Sequence, residues 1–238
     1  LTESNFVSKN KVEIVGCSRL NESFSFKKIL PKNQIVYYAI QNDRGLPHRF
    51  IKQFGNKFLN DLECHKYYNS KYNWNNLHIK TLKILKKFAL NNPETSIIIK
   101  NKIGISNNSK EYLNLSKNII IKSDGVGHQL LKKSKIVIAW NTTSIIEGIA
   151  ANRLILLPYF HAKKDNYKKE NELILKLESE NYGYSEEDFY KKLDLFMKMK
   201  YDKNQIYNNQ YSLKYYLDNE NNDASLRLDS FLRKNIKN

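Results

Sequence analysis

Cysteine is scarce: the 238 residues hold two, Cys17 and Cys64. They match no metal-ligand spacing and build no disulfide framework, so buried thiols in a reducing cytoplasm are expected. The histidines (His48, His65, His78, His128, His161) are scattered, and no structural metal is expected. No apolar run approaches the roughly 18 to 20 residues that a membrane helix needs, and residues 1–11 carry no secretory pattern. Glycine is sparse, eight in all, and nowhere forms G-x-G-x-x-G. Acidic residues are too few to balance basic ones, 24 against 40, which leaves a formal charge of +16. Such a charge ordinarily suggests nucleic acid or an anionic membrane. Here the lysines are dispersed among asparagine and isoleucine and cluster only as pairs, such as Lys132 with Lys133 and Lys163 with Lys164. Solvated surface charge is therefore expected, attraction to acidic lipid or an anionic glycan comes second, and nucleic acid ranks below both.

What is present is an alternation of β-branched runs with helical patterns. Residues 33–40 (NQIVYYAI) read as a strand, 77–90 as an amphipathic helix stopped by Pro93, and 96–100 (SIIIK) and 118–122 (NIIIK) as two buried strands. A short strand-like run occupies 11–16. Residues 50–66 fit one helix, 67–76 read as loop, and 110–115 and 128–133 fit short helices. Runs too apolar to be half-exposed need cover on both faces, which predicts an α/β fold with a Rossmann-like parallel sheet. Beyond Pro158 the character changes. A capping box at 185–188 opens a helix to about residue 198, and 211–218 and 224–236 are further helical patterns. The expected division is an entry segment over 1–30, the sheet domain over 31–160 and a helical C-terminal region over 161–238.

The most informative stretch is 135–158, KIVIAWNTTSIIEGIAANRLILLP. It reads as a strand, a hydroxyl-rich turn, a short helix with one internal carboxylate, and a second strand. The turn sets Thr142, Thr143 and Ser144 at a helix start, where unpaired N–H groups and the helix dipole favour a phosphate. The alternative is local: Ser144 and Glu147 have the spacing of a capping box, which needs no ligand. Lys100 and Lys102 flank a strand end, where open parallel sheets bind ligands, and either contact a phosphate or are solvated. Arg44, beside Asp43 after the first strand, is a bidentate clamp or a surface arginine. Gly125 and Gly127 permit a tight turn and close backbone approach, and His128 beside them touches a nucleotide or solvent. Tyr159, Phe160 and His161 stack on a base or pack in the core.

Four segments resemble the C-terminal, donor-binding half of GT-B glycosyltransferases, nearest to bacterial surface-carbohydrate and capsule transferases of the Kdo, sialyl and CDP-glycerol groups. Residues 15–20 (VGCSRL) look like the G-x-P-R-hydrophobic opening of that half, with Ser18 at the proline. Residues 96–100 look like the strand that supplies a basic residue to the donor phosphates, with Asn101 and Lys102 where the family often has His-Pro. Residues 128–144 resemble the helix, strand, N-S-T stretch, and 147–158 the E-A-x-x-x-G-x-P stretch, with Gly148 at the alanine and Asn152 and Arg153 at Gly-Lys.

The resemblance implies a cytoplasmic, metal-independent transferase, with peripheral inner-membrane contact as a secondary expectation. It would move a sugar, or a glycerophosphate-like group, from a nucleotide donor to a glycan or lipid-linked acceptor. No resident cofactor is implied. Glu147 becomes the acceptor for ribose hydroxyls, with Thr142, Thr143, Ser144, Lys100, Lys102, Arg44, Gly125, Gly127 and His128 around the donor. Leu1 in place of Met leads us to expect that upstream sequence, including an N-terminal acceptor domain and the general base, is missing. Two rival readings stand beside this one: a nucleotide-sugar 2-epimerase, and a non-catalytic module for glycan or anionic surfaces.

Overall fold

The computed structural model describes residues 17, 20–39, 74–101, 112, 114–140, 142–160, 177–202, 204–205, 207, 213 and 223–236, with backbone alone for 74–76 and 235–236. Among the described residues, six strands carry the architecture: β1 (Gln34–Tyr38), β2 (Ser96–Lys100), β3 (Ile119–Lys122), β4 (Ile136–Ile138), β5 (Leu154–Pro158) and β6 (Tyr182–Gly183). Every pairing is parallel, and the order across the sheet is β3-β2-β1-β4-β5-β6. The chain thus builds outward from β1 to one edge, crosses back, and builds outward from β4 to the other. This is the Rossmann-like α/β arrangement expected, and its direction reverses between β1 and β4.

The central strands follow from their composition. β1, β4 and β5 are buried at every position, as strands covered on both faces must be. β3 departs from the expectation of a second buried strand. Among the described residues it lies at the sheet's edge with β2 as its sole neighbour, its burial alternates, and Ile120 is 47% exposed. Three isoleucines in a row signal a strand but do not say whether both faces are covered. β6 was not anticipated at all; it carries the sheet past residue 160 by pairing Tyr182 and Gly183 with Leu157 and Pro158.

Five α-helices are described: α1 (Asn21–Ser25), α2 (Trp74–Asn91), α3 (Ser144–Ala150), α4 (Glu186–Lys198) and α5 (Ala224–Ile236). α2 begins inside the expected loop over 67–76. The expected helix at 128–133 is a 3-10 helix, Gly127–Lys132. The expectations for 11–16, 50–66, 110–115 and 211–218 lie wholly or in part outside the described residues.

Strand alternation sends Tyr37 to one face and Tyr38 to the other. On the Tyr37 face lie α2, whose His78 meets the Tyr37 hydroxyl, and α4, which packs on α2, β5 and β6. On the Tyr38 face lie α1, the 3-10 helix and α3, which pack on one another. All residues of α3 from Ile145 to Ala150 are buried. Gly148 faces the sheet there; a Cβ at that position would lie 2.7 Å from Ile155 Cδ1 and 3.4 Å from Val137 Cγ2. α4 opens at the expected Ser185 cap, with Ser185 Oγ accepting from the Asp188 amide at 3.0 Å, but the reciprocal half of the capping box is displaced by one residue, since Asp188 Oδ2 accepts from the Tyr184 amide at 2.9 Å.

Candidate functional site

Open parallel sheets bind ligands outside the carboxyl ends of their strands, at the point where strand order reverses. In this chain that point lies between the ends of β1 and β4. Tyr38 closes β1, and the turn that follows β4 leads through Thr142 and Thr143 into α3. The hydroxyl-rich turn read from the sequence therefore stands at the sheet's switch point.

Its local geometry corrects the expected capping box. Thr143 already has helical backbone angles and makes no side-chain cap, and its carbonyl accepts from the Glu147 amide at 3.1 Å. The helical turn starts before Ser144, so Glu147 lies one position beyond the box. The Ser144 amide instead donates to Thr142 Oγ1 at 3.4 Å, and the Ile145 amide to the Thr142 carbonyl at 3.1 Å. Thr142 and Ser144 are half-buried and Thr143 is exposed, while Glu147 is only 3% exposed. Among the described residues Glu147 is the sole buried acidic side chain. Burial, with the nearby Glu147 charge second, holds the Tyr38 phenol well above its ordinary range.

The other expected site residues are distributed around this point in different ways. Gly125 has φ +71°, which explains glycine there by backbone freedom alone. Gly127 is closely approached, but by Tyr38: a Cβ would sit 3.2 Å from the ring, a tight contact, and the Tyr38 hydroxyl donates to the Gly127 carbonyl at 2.8 Å. His128 Nε2 lies 2.5 Å from Glu22 Oε2, which also accepts through its other oxygen from Gln129. That pair ties the 3-10 helix to α1. Lys100 is paired in register with Tyr38 and shares its face. Its ammonium donates to the carbonyls of Asn101 at 2.9 Å and Ser123 at 3.3 Å; burial lowers its pKa and Asp124 partly opposes this. Tyr159 is core, ringed by Trp140, Tyr182 and Tyr184 at 5.4–5.9 Å between centroids. Phe160 packs on Phe189. Arg44, Lys102 and His161 lie outside the described residues.

Two groups went unnoticed in the sequence. One is Tyr38 itself. The other is a buried chain on the opposite face: Tyr37 O–H to His78 Nδ1 at 2.7 Å, His78 Nε2 to Tyr112 at 3.4 Å, and Tyr112 O–H to Asn101 Oδ1 at 2.9 Å. Both depend on strand register, and the sole local signal was the double tyrosine at the end of a strand. Among the described residues, no three His, Cys, Asp or Glu side chains converge as metal ligands, and no helix is long and apolar enough to cross a membrane.

No family model matches the chain, and no curated protein matches it. Among solved structures it is similar to the UDP-GlcNAc 2-epimerase of Methanocaldococcus jannaschii, determined in complex with UDP-GlcNAc and UDP. The identity is 9% and the TM-score 0.45, over 96% of this chain and 57% of that one. The chain thus spans little more than half that protein's length. A likeness of this degree carries no argument about activity, and the fold assignment rests on strand order and pairing.

Proposed function

We propose that this chain is the donor-binding part of an enzyme acting on a nucleotide-activated sugar, and that its reaction is transfer to a bacterial surface glycan. The observation that supports the reading is the placement of the one described buried carboxylate, Glu147, with the Thr142–Ser144 hydroxyls at the reversal between β1 and β4. In this reading Glu147 accepts ribose hydroxyls, and the hydroxyls and amides of 142–144 meet the donor phosphates. The acceptor hydroxyl attacks the anomeric carbon, the bond from that carbon to the phosphate oxygen breaks, and the nucleotide leaves with the electron pair. The acceptor proton passes to a general base, a role assigned to none of the residues named here. Positive dipoles at the start of α3 and the ammonium of Lys100 favour the charge that develops on the departing phosphate.

A thermal-shift comparison of UDP, CDP, CMP and GDP tests this. At about 100 times the dissociation constant, one of them should raise the melting temperature by about 5 °C. Glu147→Ala and the isosteric Glu147→Gln should each weaken that nucleotide at least about tenfold by calorimetry. No shift with any nucleotide sinks the proposal, and unchanged affinity in both variants sinks the ribose assignment. Conversion of UDP-GlcNAc to its 2-epimer without an acceptor would replace transfer by epimerisation at the same site.

A further inference from the structure

Asn101, the residue that follows β2, is bonded on both faces of the sheet. Strand alternation puts the Lys100 side chain on the Tyr38 face and that of Asn101 on the Tyr37 face. Asn101 is 2% exposed, and its amide donates to the Lys122 carbonyl of β3 at 2.8 Å. Its carbonyl accepts from the Lys100 ammonium at 2.9 Å, and the Ser123 carbonyl accepts from the same ammonium at 3.3 Å. The Asn101 side chain is held from the other face, where Oδ1 accepts from the Tyr112 hydroxyl at 2.9 Å. A phenol has one proton to give, so towards His78 Nε2, at 3.4 Å, the Tyr112 oxygen can only accept. His78 is therefore the Nε2–H tautomer, and its Nδ1 accepts from the Tyr37 hydroxyl at 2.7 Å. All three bonds of this buried network run one way, from Tyr37 of β1 through His78 of α2 to Asn101, and so reinforce one another.

Resting on the nucleotide reading of the site, we propose that Asn101 is a positioning residue for the Lys100 ammonium, held in place by the Tyr37–His78–Tyr112 network. In that reading the ammonium faces the donor phosphates, whereas Asn101 touches no reacting atom. An ammonium has three donors. Among the described residues, two of them end on the Asn101 and Ser123 carbonyls, which fix the charge at the carboxyl ends of β2 and β3 and leave the third for a phosphate oxygen. With the Asn101 side chain tethered, its peptide does not rotate, and its carbonyl stays where the ammonium needs it. Without the tether the carbonyl moves, and ordering the long lysine side chain is charged against the binding of the phosphate.

The test is a double-mutant cycle, which a merely structural role does not imitate. UDP, CDP, CMP and GDP are titrated calorimetrically into the wild type. The tightest binder of the four is then measured with Tyr112→Phe, Lys100→Met and the double variant. Lys100→Met should weaken it about tenfold, the worth of a hydrogen bond to a charged group. Tyr112→Phe, which removes the donor to Asn101 Oδ1 and keeps the ring, should weaken it about threefold. Added to Lys100→Met, it should cost nothing further. A threefold loss in both backgrounds, or no loss in Tyr112→Phe alone, overturns the role of Asn101. If Tyr112→Phe does not fold, Asn101→Leu, which removes the acceptor of the same bond, goes through the same cycle with the same outcomes. Nitrogen NMR of the imidazole at neutral pH, without nucleotide, checks the network itself. His78 should carry a proton on Nε2 and none on Nδ1, and a proton on Nδ1 overturns the inference. Unchanged affinity in Lys100→Met overturns it too, while the nucleotide reading stands. Binding of none of the four nucleotides overturns both.

Discussion

Tyr38 makes a prediction independent of any ligand. An unfolded tyrosine releases its proton near pH 10, while burial and Glu147 keep the folded Tyr38 protonated well beyond that. Above pH 10 the unfolded chain thus binds fewer protons than the folded one at this site, and stability falls as pH rises. Below pH 10 the contribution is fully present. The half-buried Lys27 and the buried Lys100 and Lys135 act in the opposite direction. Burial depresses their pKa values, so their contribution is complete only above about 10.5 and declines as pH falls through the depressed values. The useful quantity is therefore a difference: the urea stability of wild type minus that of Tyr38→Phe should be flat to about pH 9. It should then drop by up to about 1.4 kcal/mol per pH unit above pH 10. A difference that stays flat to pH 11 would contradict the placement of this phenol. At this scale the sequence disclosed Glu147 and the hydroxyls, because a carboxylate inside an apolar helix start is a local anomaly. It did not disclose Tyr38, whose partners are brought to it only by strand register.

Among the elements, β6 and the start of α4 are the most tightly constrained. A Cβ on Gly183 would lie 2.5 Å from Phe189 Cβ and 2.8 Å from its Cα. The obstacle is helix backbone, which does not yield as a side-chain tip does. Gly183→Ala should therefore destabilise the protein by about 1–3 kcal/mol, read as a lowered urea midpoint with unchanged slope. Loss below about 0.5 kcal/mol would mean that α4 can lift from the sheet at little cost. The helix itself was legible because its cap and first-turn acids are contiguous in sequence. β6 was not legible, since two residues present no period; it exists because β5 offers it a free edge.

For the molecule as a whole the organising side chain is Arg153, which is 0% exposed. Its guanidinium donates to the carbonyls of Phe26, Ile29, Leu131 and Lys132 and to the Tyr201 hydroxyl. It thereby ties the segment before β1, the crossover before β4 and the chain after α4. Neighbouring Asn152 adopts φ +56° in the left-handed region, donates to the Gln205 carbonyl and accepts from the Tyr207 amide. Arg153→Lys keeps the charge but cannot reproduce a five-donor fork. It should cost about 3 kcal/mol by leaving buried carbonyls unsatisfied, and circular dichroism during urea unfolding would show it. A lysine variant as stable as wild type would show that one ammonium suffices.

By itself the sequence determined the alternation of strands and helices, the parallel character of the sheet, the α4 cap and the anomaly at 142–147. Each of these is written in residues within a turn or a strand length of one another, where period and capping act. Only the tertiary structure decided that β3 is a half-exposed edge and that Ser144 and Glu147 do not form a capping box. It likewise decided that His128 faces Glu22, that Gly127 is shaped by Tyr38, and that Arg153 ties three segments. These outcomes depend on which strands become neighbours and in what register, a choice made by burying the whole sheet at once.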